Sequence, residues 1–288
     1  MIDEILKKFD GAFADNTIRA YRSDFIQFEL WCRSKGKEPI PTDADTLAQY
    51  VDEMSLVLKS ATIRRRIASL CSIFKLSKHP DPTNEPEVIL ALKRMHRRIG
   101  RAQEQAAPLT REILEQMLAT CDGSLIGQRN RVMLLLGYET MRRRSEICDF
   151  KFEDVTILPN KQTAIRLNFS KTDQYGEGKV IPISRELYDT VLNWKESIVA
   201  TDGYILRSIN RHGQIGDHLS SSSISKLLKE IQQNAFQNIE RELSGHSFRV
   251  GAALDLLNDG YGLEKIMLRG GWKTESTALR YLRTWSEI

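Results

Sequence analysis

The sequence predicts a mainly α-helical protein with a small β-sheet or β-hairpin in its C-terminal half, organised as two domains. Three observations support this prediction. The chain has 288 residues, more than the usual ~100–200 residues of one domain. Apolar residues recur at helical spacing along most of it. Between residues 165 and 183, however, apolar and polar residues alternate as they do in strands.

The composition is that of an ordinary soluble globular protein, with 41% hydrophobic and 28% charged residues. No apolar run reaches the ~18 residues that a membrane span needs, and the acidic start of the chain does not resemble a signal peptide. We therefore expect a cytoplasmic protein that does not contact membranes. The cysteines are far apart and form no CxxC pair, so we expect neither a metal site nor disulfides. They are Cys32, Cys71, Cys121 and Cys148.

The net charge of +4 conceals an uneven distribution. Residues 1–58 contain 7 Lys and Arg against 11 Asp and Glu, a net charge of −4. Residues 59–101 contain 11 against 3, a net charge of +8. A basic block inside a folded domain is suited to a polyanion such as DNA, although a solvated basic face without a ligand is an equal alternative on charge alone.

Four helices are predicted in the first hundred residues. The first follows possible capping residues at Asp15, the second is capped by Asp43 or Asp45, the third covers about 61–76, and the fourth follows Pro86. The third helix buries one apolar face and is basic on the other. The basic residues of that face and its end are Arg64, Arg65, Lys75 and Lys78.

The first domain is assigned to residues 1–103, with a basic linker at about 93–107. Apolar periodicity is lost after Ile99, which indicates a connector. The linker carries three further candidate DNA contacts, Arg97, Arg98 and Arg101. A plain connector is an equal alternative on composition.

The second domain is assigned to residues 108–288. Helices are predicted around residues 113–118 and 132–138. The alternating stretches around Ile165 and Ile181 predict a hairpin or a three-stranded sheet. The serine run at 220–223 is expected to begin a helix over 224–231.

The C-terminal stretch of the chain carries groups suited to phosphate chemistry. His246 and Arg249 are three residues apart, about one helical turn, and Trp272 and Tyr281 follow. Arginines bind phosphate oxygens bidentately and stabilise the charge that grows there during in-line displacement. A tyrosine with an ordinary pKa of ~10 needs a base or a strongly positive site before it can attack.

The full ordered pattern resembles the tyrosine recombinase (phage integrase) family over almost the whole chain. It consists of Ser-Gly-His-Ser-x-Arg-Val-Gly-Ala-Ala at 244–253, Gly-Gly-Trp at 270–272 and a tyrosine nine residues later. An upstream Arg-x-x-Glu places the first family arginine at Arg143 and fixes the register at Glu146. The family's hairpin lysine falls on Lys171, with Lys161 and Lys179 as rival candidates.

The resemblance implies an active site made of Arg143, Glu146, Lys171, His246, Arg249, Trp272 and Tyr281. Tyr281 would be the nucleophile, Lys171 would protonate the leaving 5′-oxygen, and His246 or Glu146 would orient or accept the nucleophile's proton. Trp272 would donate its indole N–H to a phosphate oxygen. The neighbouring Arg142 and Arg144 are expected at the surface or on the DNA backbone.

The resemblance also implies a C-shaped, two-domain clamp around double-stranded DNA. A homotetramer on two recombination sites would act through a 3′-phosphotyrosyl intermediate and a Holliday junction. That intermediate conserves bond energy, so no ATP, metal or other cofactor is expected. Accessory factors are not indicated by the sequence.

Two alternatives remain open. Residues 250–258 and 263–269, with a glycine-containing turn between them, also fit a helix–turn–helix in a non-catalytic DNA-binding regulator. A topoisomerase-like nicking–closing enzyme would use the same phosphotyrosine chemistry. Taken singly, each site residue also has an ordinary structural explanation, such as a one-turn ion pair between Arg143 and Glu146.

Overall fold

A computed structural model describes residues 2–101, 105–168 and 178–282. The chain divides into two compact units, Met1–Glu104 and Gln105–Ile288. Most described residues are helical, and a three-stranded antiparallel sheet lies in the second unit. The predicted fold class, mainly α with a small sheet, is confirmed. None of the described helices is long and apolar enough to cross a membrane.

The first unit is built from helices that share one apolar core. Its elements are α1 (Ile2–Lys7), α2 (Asp15–Ser34), α3 (Ala44–Met54), α4 (Ser60–Leu76), a 3₁₀ turn (Pro82–Asn84) and α5 (Pro86–Ile99). Helix α2 packs on α4, and α3 packs on α5. The core includes Phe25, Phe28, Tyr50, Leu70 and Phe74, all fully buried.

Asp43, and not Asp45, caps α3. Its carboxylate accepts a hydrogen bond from the backbone N–H of Thr46 at 2.6 Å. Helix α2 begins at Asp15, but no side chain caps it. The segment 93–107 differs from the sequence expectation, because residues up to Ile99 belong to α5. The amphipathic pattern of α5 continues through the buried Met95, and Gly100 with φ of 74° ends the helix.

The second unit surrounds its sheet with helices. Its elements are α6 (Arg111–Ala119), α7 (Leu125–Thr140), α8 (Arg144–Asp149), a 3₁₀ turn (Phe152–Asp154), β1 (Val155–Ile157), β2 (Thr163–Leu167), β3 (Lys179–Pro182), α9 (Arg185–Ser197), α10 (Ser221–Ala235), α11 (Ser247–Asn258), α12 (Leu263–Gly270) and α13 (Glu275–Leu282). The strand order is β1-β2-β3, with Ile165 opposite both Val155 and Ile181.

Two apolar clusters hold this unit together. The larger one joins the sheet to α6–α10 and contains the fully buried Trp194 and Phe248. The smaller one joins α11, α12 and α13 through residues such as Val250, Ile266 and Ala278. The candidate site residues of the C-terminal stretch therefore lie on three short helices that are packed directly on one another.

Helix α11 approaches the backbone at the start of the unit closely. A Cβ on Gly251 would lie 1.7 Å from the carbonyl oxygen of Leu109. The backbone N–H of Leu109 in turn donates to Ser247 O at 3.0 Å. Because both partners are backbone, neither can yield by changing a rotamer, and only glycine fits at residue 251.

We expect Gly251→Ala to lower the free energy of unfolding by about 1–3 kcal/mol or more, because the added methyl group must separate α11 from Leu109. Urea denaturation followed by circular dichroism measures this change. Gly123→Ala is the matched control, since nothing lies within 4 Å of its Cβ position, and a change within about 0.5 kcal/mol is expected there. Equal effects at the two glycines would contradict the close approach.

Candidate active site

Arg143 and Glu146 are held together at the start of α8. The guanidinium Nη1 of Arg143 donates to Glu146 Oε1 at 2.8 Å, and the backbone N–H of Arg143 donates to Glu146 Oε2 at 3.1 Å. Glu146 is 5% exposed, whereas Arg143 is 28% exposed. Burial would raise the pKa of Glu146, but these hydrogen bonds and the positive charge of Arg143 outweigh burial and lower it. The carboxylate therefore fixes a guanidinium that still reaches solvent.

Arg249 lies one turn into α11 and is almost completely buried, at 1% exposure. Its Nη1 donates to the carbonyl oxygen of Met141 at 2.7 Å. Met141 ends α7 in the left-handed backbone conformation, with φ of 52°. This turn of the chain presents its carbonyl to Arg249 and is followed directly by Arg142 and Arg143. The two site arginines are thus linked through one short segment of backbone.

Trp272 and Tyr281 lie beside Arg249. The ring centroids of Trp272 and Tyr281 are 4.9 Å apart, at an interplanar angle of 36°. The guanidinium carbon of Arg249 is 4.8 Å from the Trp272 ring centroid and 5.6 Å from that of Tyr281. Tyr281 is half-buried in the last turn of α13. The structure therefore places a cation against both rings, in a cation–π arrangement.

Two buried donors in this group have no acceptor among the residues that the structure describes. They are Arg249 Nε and Trp272 Nε1. A buried N–H without a partner costs about 1–3 kcal/mol. The sequence predicts that both residues bind phosphate. Phosphate oxygens are negatively charged acceptors, which suits these two N–H donors.

His246 immediately precedes α11, and part of its ring is exposed. Surrounding protein, together with the positive charges of Arg249, Arg144 and Arg143, lowers the pKa of His246 below its ordinary value of 6.5. The imidazole is therefore neutral at neutral pH, and one ring nitrogen is available as an acceptor.

Arg142 differs from the sequence expectation of a surface or DNA-backbone residue. Its side chain is buried, at 3% exposure. Its Nε donates to Thr140 O at 2.8 Å, and its Nη2 donates to Arg269 O. Burial, followed by the charge of Arg249, lowers its pKa to about 10, which still leaves it charged at neutral pH. Arg144 is exposed, and its Cβ would lie 3.0 Å from a Cβ on Gly245, next to His246.

The three candidate lysines are placed differently. Lys171 lies outside the described residues. Lys161 is exposed in the turn between β1 and β2, with φ of 64°. Lys179 begins β3, and its Nζ donates to the carbonyl oxygen of Leu268 in α12. Burial, then the charges of Arg142 and Arg269, lower the pKa of Lys179.

The candidate DNA contacts of the first unit lie on α4 and α5 and just beyond them, and most are exposed. Several also have partners within the unit. Arg65 donates to the buried Asp24 at 2.6 Å, Lys75 lies 3.4 Å from Asp81, and Arg98 donates to Ser55. The candidates for which no such contact is described are Arg64, Lys78, Arg97 and Arg101.

Sequence reasoning missed two residues that support the site, Met141 and Arg269. Arg269 Nε donates to Glu139 O at 3.1 Å, which joins α12 to the end of α7. No local pattern identifies either residue, because a methionine rarely adopts positive φ and because the partner of Arg269 is 130 residues away in the chain. Within residues 2–101, 105–168 and 178–282, no three His, Cys, Asp or Glu side chains cluster as metal ligands.

We expect Glu146→Gln to lower the free energy of unfolding by about 1–3 kcal/mol at pH 7. The substitution removes the negative charge that accepts hydrogen bonds from the guanidinium and the backbone N–H of Arg143. The pKa of Glu146 in the folded protein is below its ordinary value of 4.5. The stabilisation is therefore complete above pH 4.5 and is lost as the pH falls through the lowered value. Urea denaturation of both proteins between pH 2 and pH 7 measures the difference.

The control for this substitution is Glu186→Gln, which removes an exposed carboxylate paired with Arg131 at 3.1 Å and is expected to change stability by less than about 0.5 kcal/mol. A wild-type advantage over Glu146→Gln that grows on acidification would contradict the assigned direction of the pKa.

We expect the imidazole of His246 to titrate below pH 6.5 in the DNA-free protein, because burial and then the nearby guanidiniums oppose its protonation. An NMR titration of the ring C–H signals measures the midpoint. The chain has five histidines, and His246→Gln identifies the signal that disappears. A midpoint at or above 6.5 would contradict the lowered pKa and the surroundings assigned to this ring.

Comparison with known proteins identifies the family of the chain. The phage integrase family matches residues 108–287. An integrase/recombinase XerD homolog from Selenomonas ruminantium is 26% identical over 287 residues, covering 96% of this chain and 84% of that protein. Recombinase Cre from Escherichia phage P1 is 25% identical over 293 residues, covering 94% and 85%. The Tn1549 transposon integrase, solved in complex with transposon right end DNA, has a TM-score of 0.70 at 17% identity, covering 97% of this chain and 94% of that one.

The structural likeness shows a shared fold, and the family match covers the unit in which Arg143, His246, Arg249, Trp272 and Tyr281 lie. Tyrosine recombinases are enzymes that cleave and rejoin DNA, so the catalytic interpretation is preferred to the non-catalytic helix–turn–helix regulator. The chain belongs to the phage integrase family of tyrosine recombinases.

Proposed function

We propose that this protein recombines specific DNA sites by transesterification at Tyr281. The observation that carries the proposal is the position of the Tyr281 ring, 4.9 Å from Trp272 and 5.6 Å from the guanidinium carbon of Arg249. A tyrosine next to two buried donors that lack acceptors in the described part of the chain is well placed to attack a phosphate bound by those donors. The relatives' recombinase names support the same activity.

The scissile phosphate is bound by Arg143 and Arg249, whose positive charges stabilise the charge that develops on its non-bridging oxygens. Trp272 donates its indole N–H to one of these oxygens. The bonds from Arg143 to Glu146 and from Arg249 to Met141 O hold both guanidiniums before DNA arrives. This preorganisation removes part of the cost of ordering the site during the reaction.

In the cleavage step the Tyr281 hydroxyl oxygen attacks phosphorus, a 3′-phosphotyrosyl bond forms, and the bond to the 5′-oxygen breaks. His246 accepts the tyrosine proton, because its lowered pKa keeps the imidazole neutral, whereas Glu146 is engaged by Arg143. Lys171 supplies a proton to the leaving 5′-oxygen. The proton count is balanced without a metal or a nucleotide.

Rejoining reverses this step with a new strand. A 5′-hydroxyl from the second DNA site attacks the phosphotyrosine, Tyr281 leaves with a proton, and the phosphodiester forms again. Four protomers on two recombination sites exchange one pair of strands at a time and pass through a Holliday junction. Because the phosphotyrosyl bond conserves the energy of the broken phosphodiester, the reaction needs no ATP.

In this proposal both units bind DNA, and the reaction takes place in the cytoplasm. Residues 59–101 carry the net charge of +8, and each phosphate that they neutralise releases counterions. In the second unit the exposed Arg144, close to His246, contacts the DNA backbone. The proposed contacts of the first unit are Arg64, Arg65, Lys75, Lys78, Arg97, Arg98 and Arg101.

Covalent capture tests the proposal on DNA of any sequence. The protein is incubated with a pool of nicked duplexes of randomised sequence, in which the short fragment that carries the new 5′-hydroxyl is lost after cleavage, so that rejoining is prevented. We expect a DNA adduct that survives denaturation, and Tyr281→Phe is expected to reduce it by roughly 10³-fold or more. Sequencing the captured DNA identifies the site, and mass spectrometry identifies the modified residue.

The matched control is Tyr261→Phe, which removes the hydroxyl of an exposed tyrosine in the turn before α12 and is expected to leave the adduct unchanged. An adduct that persists in Tyr281→Phe would show that another residue is the nucleophile. If the wild-type protein forms no adduct with the whole pool, the proposed function is wrong. Relaxation of supercoiled plasmid without strand exchange between two captured sites would instead indicate a nicking–closing enzyme.

A further inference from the structure

Arg142 is a buried cation whose acceptors, among the described residues, are backbone carbonyls. Its Nε donates to Thr140 O, in the last turn of α7, and its Nη2 donates to Arg269 O, in the last turn of α12. The last carbonyls of a helix have no partners within it and carry the negative end of the helix dipole. A guanidinium placed between two such helix ends satisfies both, which explains how an arginine is accommodated at 3% exposure.

A second arginine crosses the same gap in the opposite direction. Arg269, on α12, donates from Nε to Glu139 O in α7 at 3.1 Å. Arg142, just after α7, donates to the carbonyl of Arg269 itself. Each arginine thus belongs to one helix end and bonds to the other, so that α7 and α12 are joined by two crossed contacts. We name Arg142 and Arg269 the crossed arginine pair.

The pair lies directly before the turn that carries Trp272. Gly271 ends α12 in the left-handed conformation, with φ of 68°, and a Cβ there would lie 2.5 Å from Arg142 Nη1. The backbone N–H of Trp272 donates to Met267 O at 3.0 Å, and that of Gly271 donates to Leu268 O at 3.3 Å. The guanidinium of Arg142 therefore packs against the turn itself, where only glycine leaves it room.

In the chain, Arg142 lies between Met141, which is bonded to Arg249, and Arg143. The preceding residue, Met141, accepts the hydrogen bond from Arg249. The following residue, Arg143, is fixed by Glu146. Three consecutive residues are thus connected to Arg249, to the Trp272 turn and to Glu146. Arg142 is therefore in contact with the turn of Trp272 and adjacent in the chain to the residues that fix Arg249 and Arg143.

We propose that the crossed arginine pair sets the position of Trp272 and of the Tyr281-bearing helix α13 relative to Arg143 and Arg249. Arg142 is therefore a positioning residue for DNA cleavage. This inference rests on the proposed function for its effect on the reaction. It also has a consequence in the DNA-free protein, since the Trp272 turn is held by the pair whether or not DNA is present.

The test compares Arg142→Met, Arg142→Lys and a control. Methionine fills similar length without donors, whereas lysine keeps the charge but has no planar fork to bridge two carbonyls. Arg185→Met is the control, because it removes an exposed arginine whose partner is Asp189 on the same helix, at 3.0 Å. Each protein is assayed with the nicked duplex recovered by covalent capture, for affinity and, at saturating protein, for the single-turnover rate of adduct formation.

We expect Arg142→Met to slow adduct formation by roughly 10–100-fold, the effect of misplacing reacting groups by about 1 Å. DNA affinity should change by less than about threefold. Arg142→Lys should recover part of the rate, and Arg185→Met should match the wild type. A loss of affinity with an unchanged single-turnover rate would mean that Arg142 acts through DNA binding, which would overturn the proposal.

A duplex with sulfur in place of the 5′-bridging oxygen separates positioning from proton transfer, because a thiolate leaves without an acid. This substrate should restore cleavage to Lys171→Met, in which the proposed acid is missing. It should not restore cleavage to Arg142→Met, in which the nucleophile and phosphate are misaligned. Full restoration in Arg142→Met would show that Arg142 serves the leaving group and would overturn its positioning role.

Hydrogen–deuterium exchange without DNA tests the pair independently of the reaction. In Arg142→Met the amides of Gly271 and Trp272 should exchange at least about tenfold faster, whereas amides of α9 and α10 keep the wild-type rate. Unchanged exchange at Trp272 would overturn the crossed pair. Absence of an adduct from the wild-type protein, with faster exchange in Arg142→Met, would overturn the proposed function and leave the pair standing.

Discussion

Met141 ends α7 in the left-handed conformation, and its carbonyl oxygen accepts the hydrogen bond from Arg249 at 2.7 Å. Left-handed backbone costs a residue with a side chain about 1–2 kcal/mol. That cost is offset here, because the Met141 side chain is buried in the cluster of α11, α12 and α13 and its backbone N–H still bonds to Gly137 O. The remaining geometry of the site depends on this helix end, since it decides where Arg249, Arg143 and Arg142 point.

The positive charges of the site are held in place mainly by helix ends. Arg142, Arg249 and Arg269 all donate to backbone carbonyls at or just beyond the C-terminus of α7 or α12. Such carbonyls favour cations without neutralising them as a carboxylate would. The field that reaches a bound anion therefore remains strongly positive. Arg143 is the exception, because its guanidinium is bound to the carboxylate of Glu146.

The sequence predicted those features that depend on local pattern. Helical spacing of apolar residues placed α4 within one residue of its observed start, and alternation around Ile165 and Ile181 located the strands. The residue types of the C-terminal stretch indicated phosphate chemistry. The spacing of His246 and Arg249, one helical turn, indicated that the two side chains lie on the same side of the chain. The structure brings Arg249, Trp272 and Tyr281 together.

The predictions that were wrong concern features that depend on contacts between distant segments. Three consecutive arginines at 142–144 look alike in sequence, yet the first is buried against α12, the second binds Glu146, and the third is exposed. Only the end of α12, 127 residues away, distinguishes Arg142 from its neighbours. The sequence assigned the basic residues from Lys93 to a connector because apolar periodicity is lost after Ile99, but the structure places residues 93–99 in α5, where Met95 is buried.

The hydrogen-bond donors of the site therefore divide into two groups. Arg142, Arg269 and Lys179 direct donors at helix-end carbonyls, and a donor that is held in this way is not free to follow a moving proton or oxygen. Lys179, the rival candidate to Lys171 in the sequence, has one of its three ammonium donors engaged in this way. Arg249 and Trp272 instead keep buried N–H groups without an acceptor in the described part of the chain. In the proposed reaction, free energy is gained when a phosphate oxygen reaches those donors, and the first group contributes by fixing the backbone around them before DNA binds.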